Sequence, residues 1–260
     1  MEDILSPETI TRGLETRFIG QKLIYYPRVT STNDLAKEAA RQGAVEGTVI
    51  LAGGQTVGRG RRQRAWLSPK GSLALSVILY PDAKYLASII MLASLAVVRS
   101  IKTVTGLAPR LKWPNDVLVN GRKVCGILVE SEVRGNRVGY AVVGIGINVN
   151  LRLADFPEIP SEATSLADEL GRKVPLPVLV SRLLFEIEGL YLSLRAGGSI
   201  YEEWRDSLVT LGKEVKVTID EATYLGMAES VARDGSLLLR DPDGSLRQIV
   251  AGDVSLRHQI

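Results

Sequence analysis

The 260-residue sequence predicts an α+β fold: a mixed, largely antiparallel sheet packed with helices, followed by a small β-barrel. Three observations lead there. Apolar runs of strand length alternate with helical patterns as far as about residue 210. An Asn120-Gly121 pair and an Arg134-Gly135-Asn136 turn each join two neighbouring runs into a hairpin, which makes the middle of the sheet antiparallel. From Leu211 only short β-like runs remain, divided by Asp234-Gly235 and Asp243-Gly244 turns.

The elements follow in chain order. Residues 22–26 form a strand, and Ser31-Thr-Asn-Asp34 opens a helix to about Gln42, with hydroxyl and carboxylate groups suited to capping its first N–H groups. Residues 47–52 form a strand that feeds a glycine-arginine loop, and residues 72–79 return as another strand. A long core helix spans 84–105. Runs at 117–119 and 123–130 flank Asn-Gly, which tolerates the positive φ of a type I′ turn, and this hairpin is expected to bring Asp116 and Lys123 near the same end of two paired strands. Strands at 126–133 and 137–146 complete the sheet, and helices at about 177–195 and 199–209 follow, with Pro175 and Pro177 near the start of the first. The last part contributes runs at 214–219, 224–232, 237–240 and 248–251. The expected division is an N-terminal arm (1–20), a main domain (21–210) and a C-terminal β domain (211–260).

Composition narrows the function. A hydrophobic content of 45% over this length allows a sizeable core. The apolar stretch 85–98 lies between Lys84 and Arg99 and is shorter than the roughly 20 residues a membrane span needs, so it reads as a buried helix. The start, Met-Glu-Asp-Ile-Leu-Ser-Pro-Glu, has no positive n-region or apolar h-region, and cytoplasm is the expected location. Cys125 is the only cysteine and His258 the only histidine, which excludes an internal disulfide, a Cys/His metal site and the histidine-dependent nucleophile triads around positions 112–130. Cys125 sits in an apolar run and reads as buried and inert; His258 reads as structural. Activation of an acyl group would then have to come from a nucleotide. The net charge of +3 is mild and concentrated in one loop rather than along a face, so direct DNA binding is not expected.

Two clusters carry the chemistry. Residues 58–66 read Gly-Arg-Gly-Arg-Arg-Gln-Arg-Ala-Trp. The glycines allow close backbone approach, the guanidiniums offer forked donors to phosphate oxygens, and the tryptophan offers a face on which a base can stack. Downstream, Lys112-Trp-Pro-Asn-Asp116 and Lys123-Val-Cys-Gly-Ile-Leu-Val-Glu130 place lysine, asparagine, aspartate and lysine within twelve residues, a set suited to activating a carboxylate with a nucleotide.

These motifs, with Ser68-Pro69, Gly71 and Gly144-Ile-Gly-Ile-Asn148, resemble in kind and order those of the biotin protein ligases, and the resemblance runs from about residue 20 to the end. It implies a sheet of the class II aminoacyl-tRNA synthetase/biotin ligase type, an SH3-like C-terminal domain, and ATP-dependent conversion of biotin to biotinyl-5′-AMP followed by transfer to a lysine of a biotin carboxyl carrier protein. It also implies a short form without the N-terminal DNA-binding domain of related regulators, with a homodimer through an exposed sheet edge possible in the family. A lipoate-type ligase and a biotin sensor acting with a regulatory partner are the alternatives.

The resemblance also distributes roles. Ser31, Thr32, Asn33 and Gln55 would read the uncharged urea ring of biotin, although Ser31 and Thr32 also suit helix capping. Arg59, Gly60 and Arg61 would flank the same ligand, Gly126 leaving it room and Leu128 touching its apolar body. Lys123 would bridge the biotin carboxylate and the α-phosphate, with Arg61 stabilising the charge that builds there. Trp66, Lys112, Asn115, Asn148 and Arg152 would hold the nucleotide. Mg²⁺ would travel on the phosphates without a protein cage. Asp116 would act as base for, or orient, the carrier lysine, or simply tie the hairpin. Arg62 and Arg64 would be solvated neighbours. With no anion nearby the four arginines would repel one another, leaving the loop mobile until an adenylate orders it.

Overall fold

A computed structural model describes residues 5–256; His258 lies outside them. The main sheet has seven strands in the order β1-β2-β3-β7-β6-β5-β4. They are β1 (Leu23–Tyr26), β2 (Val49–Ala52), β3 (Ser72–Leu79), β4 (Arg110–Lys112), β5 (Asp116–Val119), β6 (Arg122–Arg134) and β7 (Arg137–Asn148). Only β1 and β2 run parallel; every other pair is antiparallel, as the hairpin signals require.

Period-2 alternation separates the two faces of this sheet. On β3, β6 and β7 the odd-numbered Leu75, Val77, Cys125, Ile127, Val143, Ile145 and Ile147 enter the main core. That core is closed by α3 (Ser88–Thr105) and α5 (Leu176–Arg195). Helix α3 is long and apolar enough to cross a membrane by length and composition, but ten of its residues, from Ile89 to Ile101, are buried. The expected helix from residue 84 begins later, because a short 3₁₀ turn at Ala83–Tyr85 precedes it. On the other face, α2 (Thr32–Arg41) covers the sheet near Ile50, Ile78 and Val142, and leaves the rest of that face open.

Helix α1 (Pro7–Thr11) lies in the arm, where Ser181 Oγ donates to the Ile10 carbonyl. The arm's end is fastened by Glu188, which accepts the N–H groups of Arg17, Phe18 and Ile19 at 2.6, 2.9 and 2.9 Å. Helix α4 (Leu166–Leu170) was not foreseen. The last helix of the main part, α6 (Tyr201–Asp206), stops short of the expected residue 209. Its continuation instead bonds to β4: Leu111 donates to the Ser207 carbonyl and Val209 to the Leu111 carbonyl.

The C-terminal part is a five-stranded antiparallel sheet in the order β11-β10-β9-β8-β12. Its strands are β8 (Glu214–Ile219), β9 (Ala222–Val231), β10 (Leu237–Arg240), β11 (Leu246–Ile249) and β12 (Asp253–Leu256), the last absent from the sequence expectation. Trp113, 2% exposed, joins the two parts: its N–H meets Thr210 Oγ1 at 2.9 Å and its Nε1 donates to the Gly235 carbonyl at 2.8 Å.

Candidate active site

A cavity of about 430 Å³ opens on the sheet face that the core helices leave free. The even-numbered positions of β6 and β7 form its floor, where Gly126 pairs with Gly146 and Leu128 with Gly144. Two of these glycines are required by close approach. A Cβ at Gly144 would overlap the Asn33 amide, and one at Gly146 would overlap the Trp66 indole. Both were visible in the sequence as glycines alternating on one strand face, yet only Asn148 of that motif was assigned a role.

The ring end of the cavity starts at the N-terminus of α2. Ser31 is the helix N-cap, accepting the Asp34 N–H at 3.4 Å, and it lines the cavity as well, so capping and lining coexist. Gln55 Oε1 accepts the Thr32 N–H at 2.8 Å. Asn33 Nδ2 donates to Glu130 Oε2 at 2.8 Å. Glu130 is also 2.7 Å from Lys37 Nζ and 3.4 Å from Arg59 Nη2. Burial pushes the Glu130 carboxyl up, but the bonds from Lys37 and Asn33 and the charges of Lys37 and Arg59 outweigh it and hold it below the usual carboxylate range.

The charged end joins the hairpin to the arginine loop. Lys123 Nζ lies 2.6 Å from Asp116 Oδ1 and 5.4 Å from the Trp66 ring centroid. The expected geometry needs correction here: Asp116 pairs with Gly126 and Lys123 with Leu118, so the two residues lie towards opposite ends of the paired segment. They meet because both side chains use the same sheet face and the long lysine leans along the strand. Asn115 Nδ2 donates to the Ile127 carbonyl at 2.8 Å, which anchors the turn before β5. Arg61 Nη1 reaches Asn115 Oδ1 at 3.4 Å and the Gly252 carbonyl at 3.2 Å. Desolvation lowers the Arg61 pKa, opposed by the charges of Asp253 and Asp116.

The loop itself departs from expectation. Arg62 is ion-paired with Asp220 and donates to the Thr218 carbonyl at 3.0 Å, while Arg64 is ion-paired with Asp253. Arg59 is ion-paired with Asp34. The loop arginines therefore have anions nearby, supplied by α2 and by the C-terminal sheet, and Arg62 and Arg64 are not merely solvated. Arg62 takes a left-handed conformation, φ 53°, which a non-glycine residue adopts at a modest cost. Nothing in the local sequence signals Asp220 or Asp253, which lie more than 150 positions away.

Ser31, Thr32, Asn33, Gln55, Arg59, Gly60, Arg61, Trp66, Asn115, Asp116, Lys123, Gly126, Leu128 and Asn148 all line the cavity. Lys112 and Arg152 do not: Lys112 lies on β4 and Arg152 is exposed ahead of a 3₁₀ turn. Sequence reasoning missed the wall formed by Glu158, Ile159, Pro160, Glu162 and Ala163, and also Asp253. That wall is fixed to the hairpin by two backbone bonds, Lys123 N–H to the Glu162 carbonyl and Thr164 N–H to the Lys123 carbonyl, both 2.8 Å. Asn148 is buried and donates to the Thr164 carbonyl at 3.1 Å, so it braces the same wall. Cys125 is fully buried, and burial raises its pKa.

Comparison with known proteins agrees with this architecture. Residues 25–148 match the Biotin/lipoate A/B protein ligase family, and residues 210–257 match the Biotin protein ligase C terminal domain. The bifunctional ligase/repressor of Bacillus spizizenii is 36% identical over 258 residues, covering 97% of this chain and 79% of that protein. The biotin–[acetyl-CoA-carboxylase] ligase of Mycobacterium tuberculosis is 33% identical over 269 residues, covering 97% of each. The biotin protein ligase of Aquifex aeolicus, solved in complex with biotin and ATP, superposes with a TM-score of 0.75 at 30% identity, covering 92% of this chain and 100% of that one. Fold and site together define a protein of the biotin/lipoate ligase class, with an SH3-like C-terminal domain. Within that class, the chain belongs to the biotin protein ligase family.

Proposed function

We infer that this chain is an ATP-dependent biotin protein ligase, which activates biotin to biotinyl-5′-AMP and transfers the biotinyl group to a protein lysine. The observation that carries the reading is one cavity with two chemically distinct ends. Neutral amides and hydroxyls, Thr32, Asn33 and Gln55, stand at one end; Lys123, Asp116 and Arg61 stand at the other, with the glycine floor between.

In our assignment Ser31, Thr32, Asn33 and Gln55 bind the urea ring, and Gly126 and Leu128 flank the apolar body. Lys123 leaves Asp116 to meet the biotin carboxylate and the α-phosphate. There it offsets the negative charge that develops as the carboxylate oxygen attacks phosphorus and pyrophosphate departs, an electrostatic effect worth a few kcal/mol in a desolvated site (~3 kcal/mol). Arg59, Gly60 and Arg61 close over the mixed anhydride and keep water from it. Trp66, Asn115 and Asn148 hold the nucleotide, Asn148 also bracing the wall; the positions of Lys112 and Arg152 favour no contact with it.

In the second step the amine of the carrier lysine attacks the anhydride carbonyl and AMP leaves with the bonding electrons. Asp116, freed of Lys123, accepts the amine proton or orients the amine. No group of three or more potential metal-ligating side chains occurs among the described residues, so the donor set suits an ion carried mainly by phosphate oxygens. Mg²⁺ would neutralise part of the triphosphate charge, with Glu158 or Glu162 of the wall as the available carboxylates.

The carrier is proposed to be a biotin carboxyl carrier protein domain. The ATP requirement favours a cytoplasmic setting. We assign residues 21–210 to the catalytic domain and 211–260 to the C-terminal domain. A homodimer would use the β1 edge, since Ser207 and Val209 already occupy β4. The polar ring end favours a urea over the dithiolane of a lipoate-type ligase.

The deciding experiment is acid-dependent exchange of labelled pyrophosphate into ATP, run with biotin, lipoate and octanoate. Exchange with biotin alone is expected. Folded protein that exchanges with none of the acids would sink the enzyme reading, and exchange with lipoate would move the chain to the other branch of its class.

A further inference from the structure

We propose that Glu130 is a positioning residue for biotin: its carboxylate holds the Asn33 amide in the one orientation that leaves a carbonyl oxygen, and no N–H, to receive the urea ring. The proposal rests on the reading that Asn33 faces that ring.

The hydrogen-bond inventory leaves little choice. An ionised carboxylate accepts and cannot donate, so the Asn33 atom beside Glu130 Oε2 must be the NH₂ nitrogen. The second hydrogen of that NH₂ is directed at the Leu128 carbonyl, 3.4 Å away. On the opposite side Ser76 Oγ is 2.7 Å from Asn33 Oδ1 and 2.8 Å from Thr32 Oγ1. A hydroxyl has one proton and a carbonyl oxygen can only accept, so Ser76 donates to Asn33 Oδ1, while Thr32 Oγ1 gives its single proton either to Gln55 Oε1, 3.1 Å away, or to Ser76 Oγ. Gln55 Oε1 faces both the Thr32 N–H at 2.8 Å and the Thr32 hydroxyl at 3.1 Å, which leaves the Gln55 amide nitrogen to donate elsewhere.

A directed chain therefore runs from Glu130 through Asn33 to Ser76, which touches Thr32, and Gln55 is oriented beyond it by the Thr32 backbone N–H. The wall has a set polarity: an acceptor at Asn33 and a donor at Gln55. A cyclic urea presents the complement, N–H donors on either side of a carbonyl, whereas a dithiolane presents neither. Ser76 is fully buried on β3 and so cannot exchange this role for water. Three further charges face Glu130. Lys37 lies at 2.7 Å and Arg59 at 3.4 Å, and Asp34 shares both cations, bonding Lys37 at 3.0 Å and pairing with Arg59. The two cations keep the carboxylate ionised and hence acceptor-only. Arg59, the first arginine of the loop, thereby ties that loop to the ring-reading chain.

Glu130→Gln is nearly isosteric but can turn either a carbonyl or an NH₂ towards Asn33, so the amide is free to flip and present N–H to N–H. In pyrophosphate exchange this variant is expected to raise KM for biotin about tenfold, roughly one lost hydrogen bond, with kcat at saturating biotin unchanged. Ser76→Ala removes the lock from the other side and should raise KM in the same direction; it serves as the second variant if Glu130→Gln fails to fold. In an Asn33→Ala background Glu130→Gln should add nothing further. Additive effects, or a fall in kcat at constant KM, would overturn the positioning role while leaving the ring reading intact. An unchanged biotin KM in Asn33→Ala alone would overturn that reading, and the proposal with it.

Discussion

Lys123 Nζ and Asp116 Oδ1 are 2.6 Å apart although the strand register places Gly126, not Lys123, opposite Asp116. Each is thus the other's counter-ion, and the proposed reaction requires Lys123 to leave Asp116. Lys123→Gln removes the cation we assign to the reacting groups and is expected to lower adenylate formation by about 10²-fold or more. Asp116→Ala should spare adenylate formation and impair transfer to the carrier. Single-turnover assays of the two half reactions distinguish them, and equal loss in both steps for Asp116→Ala would count against its role in transfer.

Arg61 is held by Asn115 and by the Gly252 carbonyl, neutral partners that a phosphate can displace without breaking an ion pair. Arg61→Ala should therefore loosen the adenylate more than it alters the empty protein. About tenfold faster release of biotinyl-5′-AMP, near 1.4 kcal/mol, is the expected outcome in a filter-binding or stopped-flow measurement. Unchanged release would remove Arg61 from the lid.

Asp253 ties Arg62 and Arg64 to the C-terminal sheet, with Arg62 Nη1 at 3.5 Å and Arg64 in direct contact. Asp253→Asn should release the loop in the absence of ligand, seen as faster proteolysis within residues 58–66. Biotin plus ATP should restore protection, because the phosphates supply the missing anion. Cleavage indistinguishable from the wild type without ligand would show that Asp253 does not hold the loop.

Gly146 lies beneath the Trp66 indole, where no Cβ fits. Gly146→Ala should displace Trp66 and raise KM for ATP about tenfold, while circular dichroism shows an unchanged fold. Wild-type nucleotide affinity in this variant would mean that the indole does not carry the base.

Glu169 connects the hairpin turn to the cavity wall, accepting from Thr164 Oγ1 at 2.6 Å and Asn120 Nδ2 at 2.7 Å and pairing with Arg122 at 2.6 Å. Burial raises its pKa, but these bonds and the Arg122 charge outweigh burial and leave it lowered. A carboxylate whose folded pKa is depressed contributes stability above its unfolded pKa and loses it as pH falls through the folded one. Glu169→Gln is expected to cost about 1–3 kcal/mol in urea denaturation at neutral pH, and the difference from the wild type should shrink as pH falls below the usual carboxylate range. A pH-independent difference would assign the effect to packing.

Much of this protein is legible in its sequence because the signals are local. Alternation along 126–133 and 137–146 assigns each residue to a sheet face, and Asn120-Gly121 sets a turn whose positive φ values, 50° and 79°, are present. The same periodicity puts Gly126 and Leu128 on one face, and the ordered motifs identify the chemistry; odd-numbered Lys123 joins that face only through the register shift between Val117 and Leu118, which alternation does not reveal. What lies on other elements is decided only by packing. Glu130 meets Asn33 across 97 positions, and Arg64 meets Asp253 across 189. The wall from Glu158 to Ala163 has no regular pattern to reveal it, and Arg152 and Lys112, read as ligands from their motifs, are carried away from the cavity by a 3₁₀ turn and an edge strand. Backbone spacing and residue chemistry act over a few positions and so determined the strands, the turns and the reaction class; counter-ions, amide orientation and the closing wall depend on which distant surfaces bury each other, and only the tertiary structure decided them.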